Sequence, residues 1–376
     1  MFKLSPISIY IHIPWCLKKC GYCDFYSYVS KEIIPEKKYI DNLLKDLEKD
    51  LLLIEKRKIN TIFIGGGTPS LLNKESIKKL IYGIKERAFV SHKAEISIEA
   101  NPKTLEFQRF VDYKNAGINR FSLGIQTFHT HLLKKIERTY DSQEAINIIK
   151  ETKKIIHNLN LDLMYGLPNQ RLEDALLDLQ YAIRYNPSHI SWYQFTIEPN
   201  TSFYAQKPKL PNDDMIFKIL IQGEKLLKKS GYKKYEISSY SKKNYECQHN
   251  LNYWNFGDYI GIGCGAHGKI TQKNGKMIRT IKNKNINDFL NGNYLSSRNV
   301  ISQKDKIFEY FMNVFRLYKP VFKKHFREKT NLNEIVIEKS IQKAIQSGFL
   351  INKINYWNTT KKGKNFLNLL LEIFLK

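Results

Sequence analysis

The sequence predicts an α/β protein: a partial (β/α)6 barrel followed by a smaller, mainly helical domain of winged-helix type. Three observations lead there. Short apolar runs alternate with amphipathic stretches through the first 200 or so residues, the rhythm of repeated β/α units around a parallel sheet. Polar or glycine-rich signals follow one strand candidate after another, and in parallel barrels the carboxyl face carries the active site. After about residue 205 the rhythm changes, and 305–376 reads as three helices, a short strand pair and a further helix.

The first expected strand, 8–13, runs into Cys16, Cys20 and Cys23 within YIHIPWCLKKCGYCDF. Leucines and isoleucines at helical spacing place a helix over 39–54. The second strand, 61–64, enters Gly65-Gly66-Gly67-Thr68-Pro69 before a helix over 74–85. The third, 95–99, ends on Glu99-Ala100-Asn101-Pro102 ahead of a helix over 105–115. The fourth, 120–124, precedes Gln126-Thr127 and a helix over 142–156. The fifth, 159–164, carries Asp162 and meets Tyr165-Gly166-Leu167-Pro168 before a helix over 172–183. The sixth, 190–195, is followed by Glu198-Pro199-Asn200. Singly, each signal marks a turn or a cap. Six at one end, beside three cysteines, argue for one shared pocket. Further on come a helix over 212–229, a strand over 234–238, the aromatic- and glycine-rich stretch 247–269, and strands over 348–350 and 356–360. The expected division is a barrel over 1–235, a connecting segment over 236–300 and a carboxy-terminal domain over 301–376.

With 42% hydrophobic residues among 376, the chain supplies a sizeable core. No leader-like apolar region and no uncharged apolar run of about 18 residues is present, so the expected location is the cytoplasm. The formal charge of +25 invites a nucleic-acid or anionic-lipid partner. Lysine is scattered along the whole chain, however, which describes a solvated surface. What remains suits anionic ligands, among them porphyrin propionates, or peripheral contact with a membrane. The stretch 334–346 has mixed charge and makes a poor recognition helix, so no nucleic-acid partner is expected.

The C-x3-C-x2-C spacing is the most informative local feature. Three thiolates hold three irons of a [4Fe-4S] cluster and leave the fourth open. A structural zinc site is the competing reading; it needs a fourth donor, and His12 is the nearest. Five cysteines in so long a chain do not make a disulfide framework. The GGGTP strip lets backbone approach a ligand and offers free N–H groups to it. It lacks the G-K-[ST] continuation of a phosphate loop. An open iron beside a glycine strip and carboxylates suits S-adenosylmethionine.

At these residues the chain resembles the radical S-adenosylmethionine superfamily, and within it the coproporphyrinogen dehydrogenase-like family. The motifs are YIHIPWCLKKCGYCDF, GGGTPS, ISIEANP, RFSLGIQTF, DLMYGLP and TTKKGKNFL, spread over nearly the whole chain. The resemblance implies that Cys16, Cys20 and Cys23 bind the cluster, whose open iron chelates S-adenosylmethionine. Tyr10, Tyr22, Gly66, Gly67, Thr68, Glu99, Gln126, Arg138 and Asp162 match positions used near that ligand. An external electron donor protein is implied as well. Without the resemblance, Arg138 in IERTY reads as a surface salt-bridge residue.

Within the family, the oxygen-independent coproporphyrinogen III dehydrogenase has a fourth cysteine two residues past the third, where this chain has Phe25. It also has a longer amino-terminal extension. His249-Asn250-Leu251-Asn252-Tyr253-Trp254 matches the H-N-x-x-Y-W signature of the family's heme chaperone branch. The implied function is binding of heme and its delivery to acceptor hemoproteins, with His249 as heme ligand; the dehydrogenase is the alternative. Read by itself, a histidine in such an aromatic stretch is structural. Cys247, Cys264 and His267 are weaker ligand candidates, and the covalent C-x-x-C-H motif is absent because Asp24 follows Cys23.

Overall fold

In the computed structural model, which describes residues 4–30, 33–104 and 107–375, the six expected strands form consecutive parallel members of one sheet. They are Ile7–Ile13, Ile59–Gly66, Val90–Ala100, Arg120–Gln126, Leu159–Tyr165 and His189–Gln194. Their sequences alternate, as in ISIYIHI, RFSLGIQ and LNLDLMY. Period-two alternation sends Ile9, Ile11, Leu123 and Leu161 outward, all fully buried beneath helices. Ser122, Gln126, Asp162 and Tyr193 point the other way and line the barrel's interior. Barrels of this type usually fill their interior with branched apolar side chains; this one keeps it polar.

The covering helices are Glu36–Leu51, Lys74–Arg87, Phe107–Ala116, Ser142–Ile155 and Leu172–Tyr185. Each lies within a few residues of expectation, and the first two residues expected for the third lie outside the described ones. Asp141 and Glu144 cap the fourth reciprocally. Among the described residues, several short elements escaped the periodicity, among them Pro69–Leu71, Pro102–Thr104, Thr130–Lys135 and Ser202–Gln206. They are too short to show a repeat.

The sheet continues past both sides of the barrel to twelve strands. Tyr259–Ile262 pairs in parallel with the first strand, and His267–Thr271, Met277–Lys282 and Leu295–Val300 follow in antiparallel order. At the other side, the expected strand over 234–238 is a hairpin: Lys233–Glu236 turns at Ile237-Ser238 into Ser239–Ser241, which pairs with the sixth strand. Past Ile301 come helices Gln303–Val314, Lys323–Thr330 and Glu338–Gln346, then strands Leu350–Asn352 and Tyr356–Thr359. A third strand, Val321–Phe322, completes the small sheet, and two short helices, Lys361–Asn365 and Leu367–Glu372, stand where one was expected. No helix among the described residues is long and apolar enough to cross a membrane.

Two buried ionic clusters fasten the added strands to the barrel. Lys282 meets Asp46 at 2.6 Å and Asp50 at 2.8 Å on the first helix. Asp258 meets Arg57 at 2.8 Å and Lys269 at 3.0 Å. Burial alone would raise the Asp258 carboxyl, but Lys269 and Arg57 outweigh it and hold it at about 2. Its contribution to stability is therefore complete above about pH 4 and is lost as pH falls toward 2. Asp258→Ala strands two buried cations and should cost about 3 kcal/mol in urea denaturation at pH 7, with a smaller difference from wild type at pH 3.

Candidate functional site

The three cysteines sit on a loop closed at its base by a miniature parallel pair, Trp15–Cys16 with Tyr28–Val29. Ser30 N donates to Cys16 O at 2.9 Å and Cys23 N to Cys20 O at 3.1 Å, so the loop folds back on itself. On its outer side Gly21 packs against helix Ser202–Gln206, where a Cβ would fall 2.4 Å from the Phe203 ring. Phe203 N and Ser202 Oγ both donate to Gly21 O.

The glycine strip meets the loop from the other side, and here the expectation of free N–H groups fails. Gly67 N donates to Ile13 O and Thr68 N to Trp15 O, each at 2.7 Å, while Gly66 N reaches Glu99 Oε2 at 3.2 Å. The glycines are needed for approach. A Cβ on Gly66 would lie 2.7 Å from the His12 ring, and one on Gly67 would lie 2.6 Å from Trp15 O. Gly66 also has φ +109, a region that favours glycine.

Cys16, Cys20, Cys23, Tyr22, Gly66, Gly67, Thr68, Glu99, Gln126, Arg138 and Asp162 line one pocket of about 240 Å³ at the carboxyl ends of the strands. Eleven sequence-derived residues thus converge. Thr68 Oγ1 donates to Cys16 Sγ at 3.5 Å. Arg138 is not a surface residue: its guanidinium donates to Gly124 O at 2.9 Å, to the Tyr140 hydroxyl at 3.2 Å and to Cys20 Sγ at 3.5 Å. Burial, then the nearby Cys16 and Cys20 thiols, push Cys23 up to about 11. A Cys23 thiol raised this far ionises when a metal's charge compensates it. His12 does not offer itself as a fourth zinc donor, because Nε2 bonds Tyr26 O at 2.8 Å and Nδ1 the Tyr10 hydroxyl at 3.0 Å. Among the described residues, no three metal-binding side chains converge as on a single ion. The donor set fits an iron–sulfur cluster with one open iron.

Glu99 and Asp162 face the same space. Burial, then the charge of Asp162, raises Glu99 to about 8. Burial also raises Asp162, against hydrogen bonds from Ser122 Oγ and Asn160 Nδ2, both at 2.8 Å. Gln126 has φ +65 at a register shift in the fourth strand, local strain of a kind that collects at functional sites. The Tyr193 hydroxyl holds its side chain at 3.0 Å. Tyr193, Ser122 and Gly124 line the pocket too and were not anticipated, and Asn101 of the third strand-end signal joins them. Ser122 and Gly124 stand at period-two spacing from Gln126 and were readable from RFSLGIQ.

Two expected residues are elsewhere. Tyr10 lies behind the lining, stacked on Phe63 and bonded to His12. His249 lies toward the opposite end of the barrel, near Thr61, about 17 Å of strand away from Gly66. It belongs to a helix, Gln248–Trp254, at the start of the aromatic- and glycine-rich stretch. The Glu95 carboxylate accepts from Gln248 N at 3.1 Å and His249 N at 3.0 Å at the start of that helix. The His249 ring is enclosed, with Nδ1 on Thr61 Oγ1 at 2.7 Å, Nε2 on the Tyr253 hydroxyl at 3.0 Å and a face on Phe63. Burial, then Arg120, lowers it to about 3, so it is neutral. Cys247 and Cys264 are buried and raised to about 12 by that burial, and His267 is exposed.

A barrel of this build with three thiols and a glycine strip at its mouth defines a class, and the comparisons agree. The model of the radical SAM superfamily matches residues 10–182. Heme chaperone HemW of Buchnera aphidicola subsp. Acyrthosiphon pisum is 74% identical over 376 residues, all of both chains. Heme chaperone HemW of Escherichia coli K12 is 50% identical, again over the whole of both. The solved structure of the radical SAM enzyme coproporphyrinogen III oxidase (HemN) from Escherichia coli superposes with a TM-score of 0.83 at 22% identity, covering 99% of this chain and 90% of that one, a likeness of fold. The chain belongs to the HemW family of radical SAM proteins. Membership implies a [4Fe-4S] cluster and S-adenosylmethionine as cofactors.

Glu99 gives the site a measurable signature. Its folded-state pKa is raised, so the neutral carboxyl is favoured and stability is lost as pH rises from about 5 through about 8. Without bound ligands, wild type should lose roughly 2 kcal/mol over that range in denaturant titrations, after allowing for water in the pocket. Glu99→Gln should flatten the profile and be the more stable protein at pH 9.

Proposed function

We propose that this protein binds heme and transfers it to acceptor hemoproteins, using a [4Fe-4S] cluster held by Cys16, Cys20 and Cys23 together with S-adenosylmethionine. The observation that carries this reading is end-to-end identity, 74% and 50%, to proteins named heme chaperone HemW. Phe25, about half exposed at the pocket rim in place of a fourth cysteine, agrees with it.

When bound, the cluster and S-adenosylmethionine supply one-electron cleavage of a sulfonium, the electron coming from a donor protein. The chain's own residues prepare for that. Arg138 sets a positive charge against the Cys20 sulfur. Glu99 and Asp162 offer carboxylates to an amino group or to ribose hydroxyls, and a cationic ligand would draw Glu99 into its charged form. Gly66, Gly67 and Thr68 keep the floor free of side-chain bulk. Tyr22, wedged edge-on against Phe195 and Phe203, closes one wall against water.

Anaerobically reconstituted protein should bind hemin, pass it to an apo-hemoprotein in a mixed assay and form no protoporphyrinogen from coproporphyrinogen III. Failure to bind hemin, or steady protoporphyrinogen formation, would return the protein to the dehydrogenase side of the family. Cys20→Ala should abolish the cluster's visible absorbance.

A further inference from the structure

A second cavity, about 870 Å³, opens where the end of the sixth barrel strand faces the carboxy-terminal helices. Tyr193 belongs to its wall and to the wall of the thiol pocket, so the two share a partition. Its volume falls within the range of small-molecule and cofactor sites. Trp192, Phe308, Met312 and Leu371 make much of the lining apolar, and at its edge Phe366, Leu369 and Leu375 are about half exposed. Apolar side chains left in water around a concave surface mark a site for an apolar ligand.

The cations there are not all neutralised. Lys234 is paired with Glu224 at 2.5 Å. Arg316 gives Nη2 to Glu236 at 3.3 Å, but its enclosed Nε has no hydrogen-bond partner. Lys364 donates to Phe315 O at 3.0 Å and Leu317 O at 2.5 Å, two of its three N–H groups. Burial, then Lys234, lowers it to about 8, a cost that a carboxylate would relieve. The buried Trp192 Nε1 is a further donor without a partner. Lys364, held only by carbonyls, and Arg316, which shares its charge with Glu236 and keeps one N–H unbonded, stand beside a broad apolar wall and match a flat apolar ring bearing two carboxylates.

Two of the sequence motifs also converge on this place. Trp254, the last residue of the H-N-x-x-Y-W stretch, stacks under the Arg316 guanidinium at 4.2 Å. Lys364 and Phe366 belong to TTKKGKNFL. His249 itself is buried elsewhere, so the stretch reaches the cleft through its tryptophan.

We propose that heme lies in this cleft, its ring against the apolar wall and its propionates on Arg316 and Lys364, an assignment that rests on the heme-chaperone reading above. The test uses full-length protein with its cluster reconstituted, titrated with hemin and followed by Soret absorbance. Leu369→Glu and Phe366→Glu alter half-exposed rim positions and should each weaken hemin binding at least tenfold, with circular dichroism and cluster absorbance unchanged. The dimethyl ester of heme should bind wild type at least tenfold more weakly than hemin. If wild type binds hemin and both rim variants bind it equally well, the cleft is not the heme site, while the chaperone reading stands. If wild type binds no hemin, both fall. Palmitate that binds the cleft and is not displaced by hemin would mark a lipid site and overturn the assignment.

Discussion

The site depends on one close backbone approach. Gly67 and Thr68 extend the parallel ladder between the first two barrel strands by bonding Ile13 O and Trp15 O, so the second strand holds the root of the cysteine loop in register. Side chains would prevent this, since even a methyl group at Gly67 would intrude on the Trp15 carbonyl. Once that root is fixed, Cys16 lies under Thr68, Cys20 beside Arg138, and Gly21 against Phe203. A loop with thiols and little regular structure of its own is thus given a defined shape by three neighbours.

The polar interior runs the length of the barrel, and its two ends are treated differently. At the carboxyl end it stays open as the thiol pocket. At the other end, Glu95, Arg120, Asn160 and His189 are buried, and helix Gln248–Trp254 closes over them with its first N–H groups on Glu95. A carboxylate at a helix start satisfies unpaired donors and the helix dipole together. His189 bonds Asn160 and the Tyr235 hydroxyl, and that hydroxyl accepts from Cys247 N, so floor and plug form one network.

Much of this was legible in the sequence because a half-polar strand in a barrel has a strict period. RFSLGIQ and LNLDLMY declare which residues face inward, and the pocket follows from the strand ends. The extension to twelve strands was not legible. Tyr259–Ile262 pairs with a strand some 250 residues earlier, and nothing local to YIGI records that partner. The hairpin at Ile237-Ser238 lacks glycine or proline and therefore reads as one strand. The glycine strip was found correctly but its N–H groups were read as free, because sequence shows that a side chain is missing and not which atom occupies the space.

The same limit governs His249. Its motif identifies a family, yet motif identity cannot distinguish a ligand from a strut. To reach a heme iron the imidazole would have to leave Thr61, Tyr253 and the face of Phe63. Two net hydrogen bonds and two ring contacts, on Phe63 and Tyr253, amount to about 3 kcal/mol. A competent state that far above the resting one would reduce apparent heme affinity about a hundredfold. Trp254 reaches Arg316 with no such rearrangement. On the proposed assignment the stretch acts by holding the arginine at the cleft, with His249 and Tyr253 bonded to each other on the helix that carries Trp254.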